Sequence, residues 1–222
     1  MTASLRQSAF MALVLMVFTT MATIFAASPA RADDFSAEAA DHIQVLGDDL
    51  LRQLEVRKGD PDLKRELSEL LATEIALENI ARFALGRYWR IASVAEQQEY
   101  QDLFGRLVTR VYVSRFDDYS GQTFEVTGYR MGTSRDALVS TRVAQPNGPP
   151  IDVDWRIRRF EEKMKIIDII VGGVSMAVTQ RSEFASIIQN NRGRVSALID
   201  NLRAQLADNG SQAANRAEVP GR

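Results

Sequence analysis

The chain contains no cysteine. Disulfides, thiolate metal sites and thiol nucleophiles are therefore excluded, although the compartment is not identified, because bacterial exported proteins often lack disulfides. There is a single histidine, His42, next to Asp41. On an expected helix it reads as a surface residue and not as an acid–base group. Basic excess is missing too: the formal charge is −2, so nucleic acid is set aside as a partner. No His/Cys/carboxylate cluster at metal spacing, no nucleophile elbow and no phosphate-binding glycine loop is present. These gaps argue against an enzyme and against a bound cofactor or metal.

What is there describes one globular domain. The 222 residues are 45% apolar and 25% charged, enough for a single core and too few for two comfortable ones. Arg6 precedes an apolar run from Ala9 to Ala27, and Ala30-Arg31-Ala32 forms a small-x-small cleavage signal. Residues 1–32 are expected to be a cleaved signal peptide. The alternative is a retained anchor, since an uncharged stretch of this length spans a bilayer. Cleavage would leave 25 basic and 29 acidic residues, a mildly acidic exported form.

Residues 33–207 carry the expected domain. Ser36 caps a helix to about Glu55, with Ile43, Leu46, Leu50 and Leu54 at helical spacing. Lys58-Gly59-Asp60-Pro61 breaks it, and Pro61 opens a second helix bearing Leu63, Leu67, Leu70 and Leu71. A third segment runs from Leu77 to Trp89. Ser93 with Glu96 is a capping box that opens a long helix ending at Tyr119-Ser120-Gly121.

The hydrophobic period then changes from 3.6 to 2. Strands are expected at 122–131, 136–145, from Ile151 to Arg158, and from Met164 to Val171. In the third, Ile151, Val153, Trp155 and Ile157 alternate with Asp152, Asp154, Arg156 and Arg158. Helices at about Ser175–Gln189 and Val195–Ala207 follow, and 208–222 reads as a disordered tail. The fold class is α+β: a four-stranded antiparallel meander covered by helices, cone-shaped, with an N-terminal helical part and an enclosed apolar cavity.

Two features invite chemistry. Asp168 lies within Ile166-Ile167-Asp168-Ile169-Ile170, where an unpaired buried carboxylate is costly. It reads as a structural acceptor for backbone N–H groups near Gly173 to Ser175 or for an arginine; the alternative is a general base in an apolar pocket. Arg82, Arg87 and Arg90 gather near Trp89, and Arg181 follows the fourth strand. Each has the geometry to hold a phosphate, though solvated faces and structural pairing explain most such runs.

Four pieces, in order, resemble the MlaC-like family, also called toluene-tolerance or periplasmic phospholipid-binding proteins. They are Leu85-Gly86-Arg87-Tyr88-Trp89-Arg90, the Tyr119-Ser120-Gly121 turn, the Asp154-to-Arg158 strand, and the stretch from Asp168 to Met176 with Arg181-Ser182-Glu183-Phe184. The chain departs from the family pattern in lacking a tryptophan near Met164 and a tyrosine at Gln180. The resemblance implies a periplasmic lipid carrier whose fold sandwiches acyl chains between sheet and helices. Its ligand is a phospholipid or, as in a similar hopanoid-associated subgroup, a hopanoid. Its partners would be an inner-membrane ABC transporter complex with an MCE-domain protein, and an outer-membrane lipoprotein complex; its role would be outer-membrane lipid asymmetry.

The residues expected to face the lipid are Val126, Val139, Val153, Trp155, Ile157 and Ile166 on the strands, opposite Phe104, Val108, Val111 and Tyr112 on the long helix. Two other readings stand beside this one: an α+β-cone enzyme with Asp168 as base, and a solid-cored adaptor that docks onto membrane complexes.

Overall fold

The structure, a computed structural model, describes residues 30–217, with side chains over 34–208. Helix α1 (Ala30–Val56) and helix α2 (Leu63–Glu74) are joined by the turn at Gly59, whose φ of 87° suits a residue without Cβ. Arg57 bridges that turn, pairing with Asp60 at 2.7 Å and also with Glu66. Helix α3 (Leu77–Leu85) passes at Gly86 into a 3₁₀ segment (Gly86–Arg90). The third segment is therefore not one continuous helix. Helix α4 (Val94–Arg115) opens with the expected capping box between Ser93 and Glu96 and ends in a 3₁₀ turn (Phe116–Asp118).

The sheet follows as β1 (Thr123–Thr133), β2 (Asp136–Ala144), β3 (Ile151–Phe160), β4 (Lys163–Val171) and β5 (Val174–Ser175), in the order β1-β2-β3-β4-β5 and antiparallel throughout. The expected four strands become five. The added strand is a two-residue return through Gly172-Gly173, too short for any alternation to show. Helices α5 (Met176–Asn190) and α6 (Val195–Ala217) close the chain. The expected tail from Asp208 is helical through Ala217, because α6 continues where its polar composition suggested a stop. The expected leader lies outside the described residues except at 30–32, which α1 includes. Among the described residues no helix is long and apolar enough to cross a membrane.

Two principal cores share the burial. One is all-helical and joins α3, α4, α5 and α6 around Tyr100, Phe104 and Phe184, whose rings lie 5.9–6.1 Å apart. Tyr100 is fully buried and donates its hydroxyl to the Ala81 carbonyl at 2.8 Å. The other joins α1 to the inner sheet face through Ile43, Ala137, Val139, Ile157 and Ile166. A smaller cluster links the ends of α1, α2 and α4 through Leu54, Leu67 and Val113.

Alternation on β3 sends Val153, Trp155 and Ile157 inward, as expected, and leaves Asp152 and Arg158 to pair with Arg142 and Asp136. A bulge opposite Arg156/Ile157 resets the register on β4, so that Ile166 and Ile169 both face in while Asp168 does not. The apolar run on β4 is the trace of that extra residue.

Candidate ligand-binding site

Between the inner sheet face, α1, α2 and the end of α4 lies an apolar cavity of about 500 Å³. The size falls within the range, roughly 300–1,000 Å³, of pockets for small organic ligands. Its helical wall is almost entirely leucine: Leu46, Leu50, Leu51 and Leu54 from α1, and Leu67, Leu70 and Leu71 from α2. Leu50, Leu51, Leu70 and Leu71 remain only half-buried. Leu50, Leu51 and Leu71 pack on one side against the Leu54, Leu67 and Val113 cluster and present the rest of their surface to the cavity.

The sheet wall is made by Val143, Ile151, Val153, Trp155, Ile166, Ile169 and Val171. Trp155 is pinned: its indole N–H donates to Thr141 Oγ1 at 2.8 Å, and that hydroxyl donates to the Val153 carbonyl at 3.0 Å. With its one donor satisfied, the ring contributes only apolar surface to the cavity. The Phe124 ring packs against Gly47 of α1; a Cβ there would stand 2.5 Å from Phe124 Cε1. Gln44 ties the same helix to β1 by accepting the Val126 N–H at 3.1 Å.

Polar groups are few and sit at the edges. Glu74 pairs with His42 at 2.8 Å, so His42, expected at the surface, is a half-buried partner of a cavity residue. Arg115, Asp118, Gln122 and Gln145 line one end. Burial holds the Tyr112 phenol above its ordinary pKa, with Asp168 reinforcing and Arg115 opposing, so it stays protonated. Contacts of this kind select for hydrocarbon volume more than for any one polar group.

The expected site residues divide by position. Tyr112, Val153, Trp155 and Ile166 stand on the cavity wall. Val139 and Ile157 are fully buried in the core between α1 and the sheet, and Val126 packs against the same core; none of the three lines the cavity. Phe104 and Val108 belong to the all-helical core, and Val111 is 37% exposed. That is a correction to the pairing of mid-α4 with the sheet. Tyr112 lies eight residues past Phe104, about 80° further round the helix at 3.6 residues per turn, so the two face different layers. The lid expected of α4 is supplied by α1 and α2, whose leucines were legible as helical stripes but not as a cavity wall. The adjacent pairs Leu50-Leu51 and Leu70-Leu71 widen those stripes beyond what helix packing alone needs.

Asp168 is 6% exposed and fully used. One carboxylate oxygen accepts from the Ser175 hydroxyl at 2.6 Å and the other from the Ala177 N–H at 3.1 Å, at the start of α5. It serves as a structural acceptor that fastens a helix N-terminus to β4. Among the described residues no group of three or more His, Asp or Glu side chains is placed to hold a metal ion.

Fold and cavity together define a class: an α+β protein with an apolar cavity between sheet and helices. The family model for MlaC protein matches residues 44–204, and the chain belongs to that family. Similar proteins include the toluene tolerance protein ttg2D of Pseudomonas putida, 24% identical over 74% of this chain and 77% of its own length. A second is the intermembrane phospholipid transport system binding protein MlaC of Haemophilus influenzae, 24% identical over 79% of this chain and 80% of its own. A solved structure of the phospholipid-binding protein from Ralstonia solanacearum in complex with a phospholipid superposes with a TM-score of 0.66 at 27% identity. That match covers 78% of this chain and 98% of the other.

Proposed function

We propose that this chain is a periplasmic lipid carrier that shields the acyl chains of a phospholipid in the cavity between α1, α2 and the sheet. The observation that carries the reading is the leucine wall: apolar side chains that line the cavity beside the sheet and are left partly uncovered by protein. Membership of the MlaC family and likeness to a phospholipid-bound structure support the choice of guest. A carrier needs such a chamber because a two-chain lipid has about 30 methylenes. At ~0.8 kcal/mol each, their exposure to water costs on the order of 20 kcal/mol.

In this reading the protein exchanges lipid between an inner-membrane ABC transporter complex containing an MCE-domain protein and an outer-membrane lipoprotein complex, and so maintains outer-membrane lipid asymmetry. It catalyses no reaction on its cargo. With polar groups only at the cavity edge, the carrier discriminates by chain volume and accepts several headgroups.

The test is native mass spectrometry of protein released gently from the periplasm, followed by solvent extraction. Co-purifying phospholipids with mixed headgroups are expected; a hopanoid in their place would change the cargo and keep the carrier. Protein that is uniformly empty, and stays empty when incubated with lipid vesicles, would refute the reading.

A further inference from the structure

Away from the cavity, α3, the 3₁₀ segment and α5 form a second, open pocket of about 500 Å³ that shares no residue with the first. Four guanidinium groups border it: Arg82, Arg87, Arg90 and Arg181. Elsewhere arginines such as Arg57, Arg142, Arg158 and Arg203 are matched with carboxylates. Among the described residues none of these four has an ion-pair partner. Like charges gathered without counter-charge repel one another, and the arrangement becomes favourable when an anion enters.

The pocket walls hold the guanidinium groups in place. Arg82 lies over the Trp89 ring at 5.5 Å from its centre, and Arg181 over Phe83 at 5.1 Å. Arg87 stacks on Tyr88 at 4.9 Å and donates to its hydroxyl at 2.8 Å. Held against rings, Arg82 and Arg181 keep N–H groups available to donate. Gly86 completes the arrangement. Its φ is 58°, and a Cβ at that position would lie 3.1 Å from Arg181 Nε. The turn where α3 breaks is thus the surface on which Arg181 rests.

We propose that this pocket is an anion site that takes a phosphate-bearing group, separate from the apolar cavity. Planar, paired donors on several arginines match the oxygens of a phosphate better than they match chloride. The group has two sources, a lipid headgroup presented at a membrane or a free phosphate or phosphate ester.

The two tryptophans, Trp89 and Trp155, report on the two sites separately. The full chain labelled with 5-fluorotryptophan would be titrated, by ¹⁹F NMR, with inorganic phosphate, with soluble dihexanoyl phosphatidylglycerol, and with sodium chloride at equal ionic strength. The Trp89 signal should move saturably with phosphate or with the short-chain lipid and not with chloride. Movement with phosphate alone assigns a free phosphate source, and movement with the lipid assigns a headgroup. An Arg82→Gln/Arg181→Gln variant should bind at least tenfold more weakly, with Arg181→Lys in between. The proposal is overturned if neither anion moves Trp89 beyond the chloride control, or if a folded double glutamine variant titrates like the parent. A Trp155 signal indifferent to lipid counts against the cavity reading and leaves this site untouched.

Discussion

Gly47 is the position where one added carbon should matter most to the cavity. The Phe124 ring occupies the space a side chain would need, and both residues line the cavity. Gly47→Ala gains about 1 kcal/mol of helix propensity, yet must push the ring off α1 toward the cavity. We expect lipid loading, read as the lipid-to-protein ratio after purification, to fall at least twofold with thermal stability held within a few degrees. Unchanged loading would mean that Phe124 moves freely out of the way. Val111, exposed and off the wall, is the matching control: Val111→Asp should load normally.

Asp136 tests a different residue-level claim, that the outer sheet face is held by charge. Its side chain is 3% exposed and takes two bonds from Arg158, at 2.6 and 2.9 Å. Burial works against ionisation, but the Arg158 and Thr133 hydrogen bonds and the charges of Arg158 and Arg156 outweigh it and keep the pKa below its ordinary 3.8. A carboxylate with a depressed folded pKa contributes stability that is complete above the unfolded value and is lost as pH falls through the folded one. Asp136→Asn should therefore cost about 1–3 kcal/mol near neutrality, discounted for the partly open Arg158. The difference from the parent should begin to shrink as pH falls below about 3.8 and vanish only below the depressed folded value. Denaturant unfolding at a series of pH values measures this; a gap that persists unchanged in strong acid would contradict it.

At the scale of elements, the joint between β4 and α5 depends on Asp168. Ser175 caps α5 by accepting the Val178 N–H at 3.1 Å while donating to Asp168, and Asp168 accepts the next free N–H, that of Ala177. Asp168→Ala strips an acceptor from the buried Ala177 N–H and the part-buried Ser175 hydroxyl, at about 1–3 kcal/mol, or a fall of roughly 2–12 °C in Tm. Loading per folded molecule should stay at the parental level, because Asp168 lies off the cavity wall. Lost loading in a variant that still melts cooperatively would assign the carboxylate a role in the ligand site.

Elements were the most legible level of this chain. The change of period after Gly121, the Ser93–Glu96 box and the alternation on β3 are local signals, and each lands within a few residues of the observed element. What sequence spacing does not carry is which stripe meets which layer. Phe104 and Leu50 are equally convincing core residues by period. Only the crossing of α4 over α5 and α6 sends the first into a filled core, while α1 leaves the second facing an open space. β5 and the end of α6 escaped for a simpler reason: two residues are too few for a pattern, and a polar stretch is compatible with helix as well as with disorder.

The whole molecule has two halves of different character. The aromatic core of α3 to α6 is filled by its own side chains, whereas α1, α2 and the sheet surround an apolar cavity, the space proposed to take the guest. The most direct test of that division is photocrosslinking with a phospholipid bearing a diazirine at its acyl terminus, followed by peptide mapping. Adducts should fall on Leu46–Leu54, Leu67–Leu71 and Val153–Trp155. Adducts confined to the α3–α6 core, or none at saturating lipid, would contradict the claim that hydrocarbon lies between the leucine wall and the sheet.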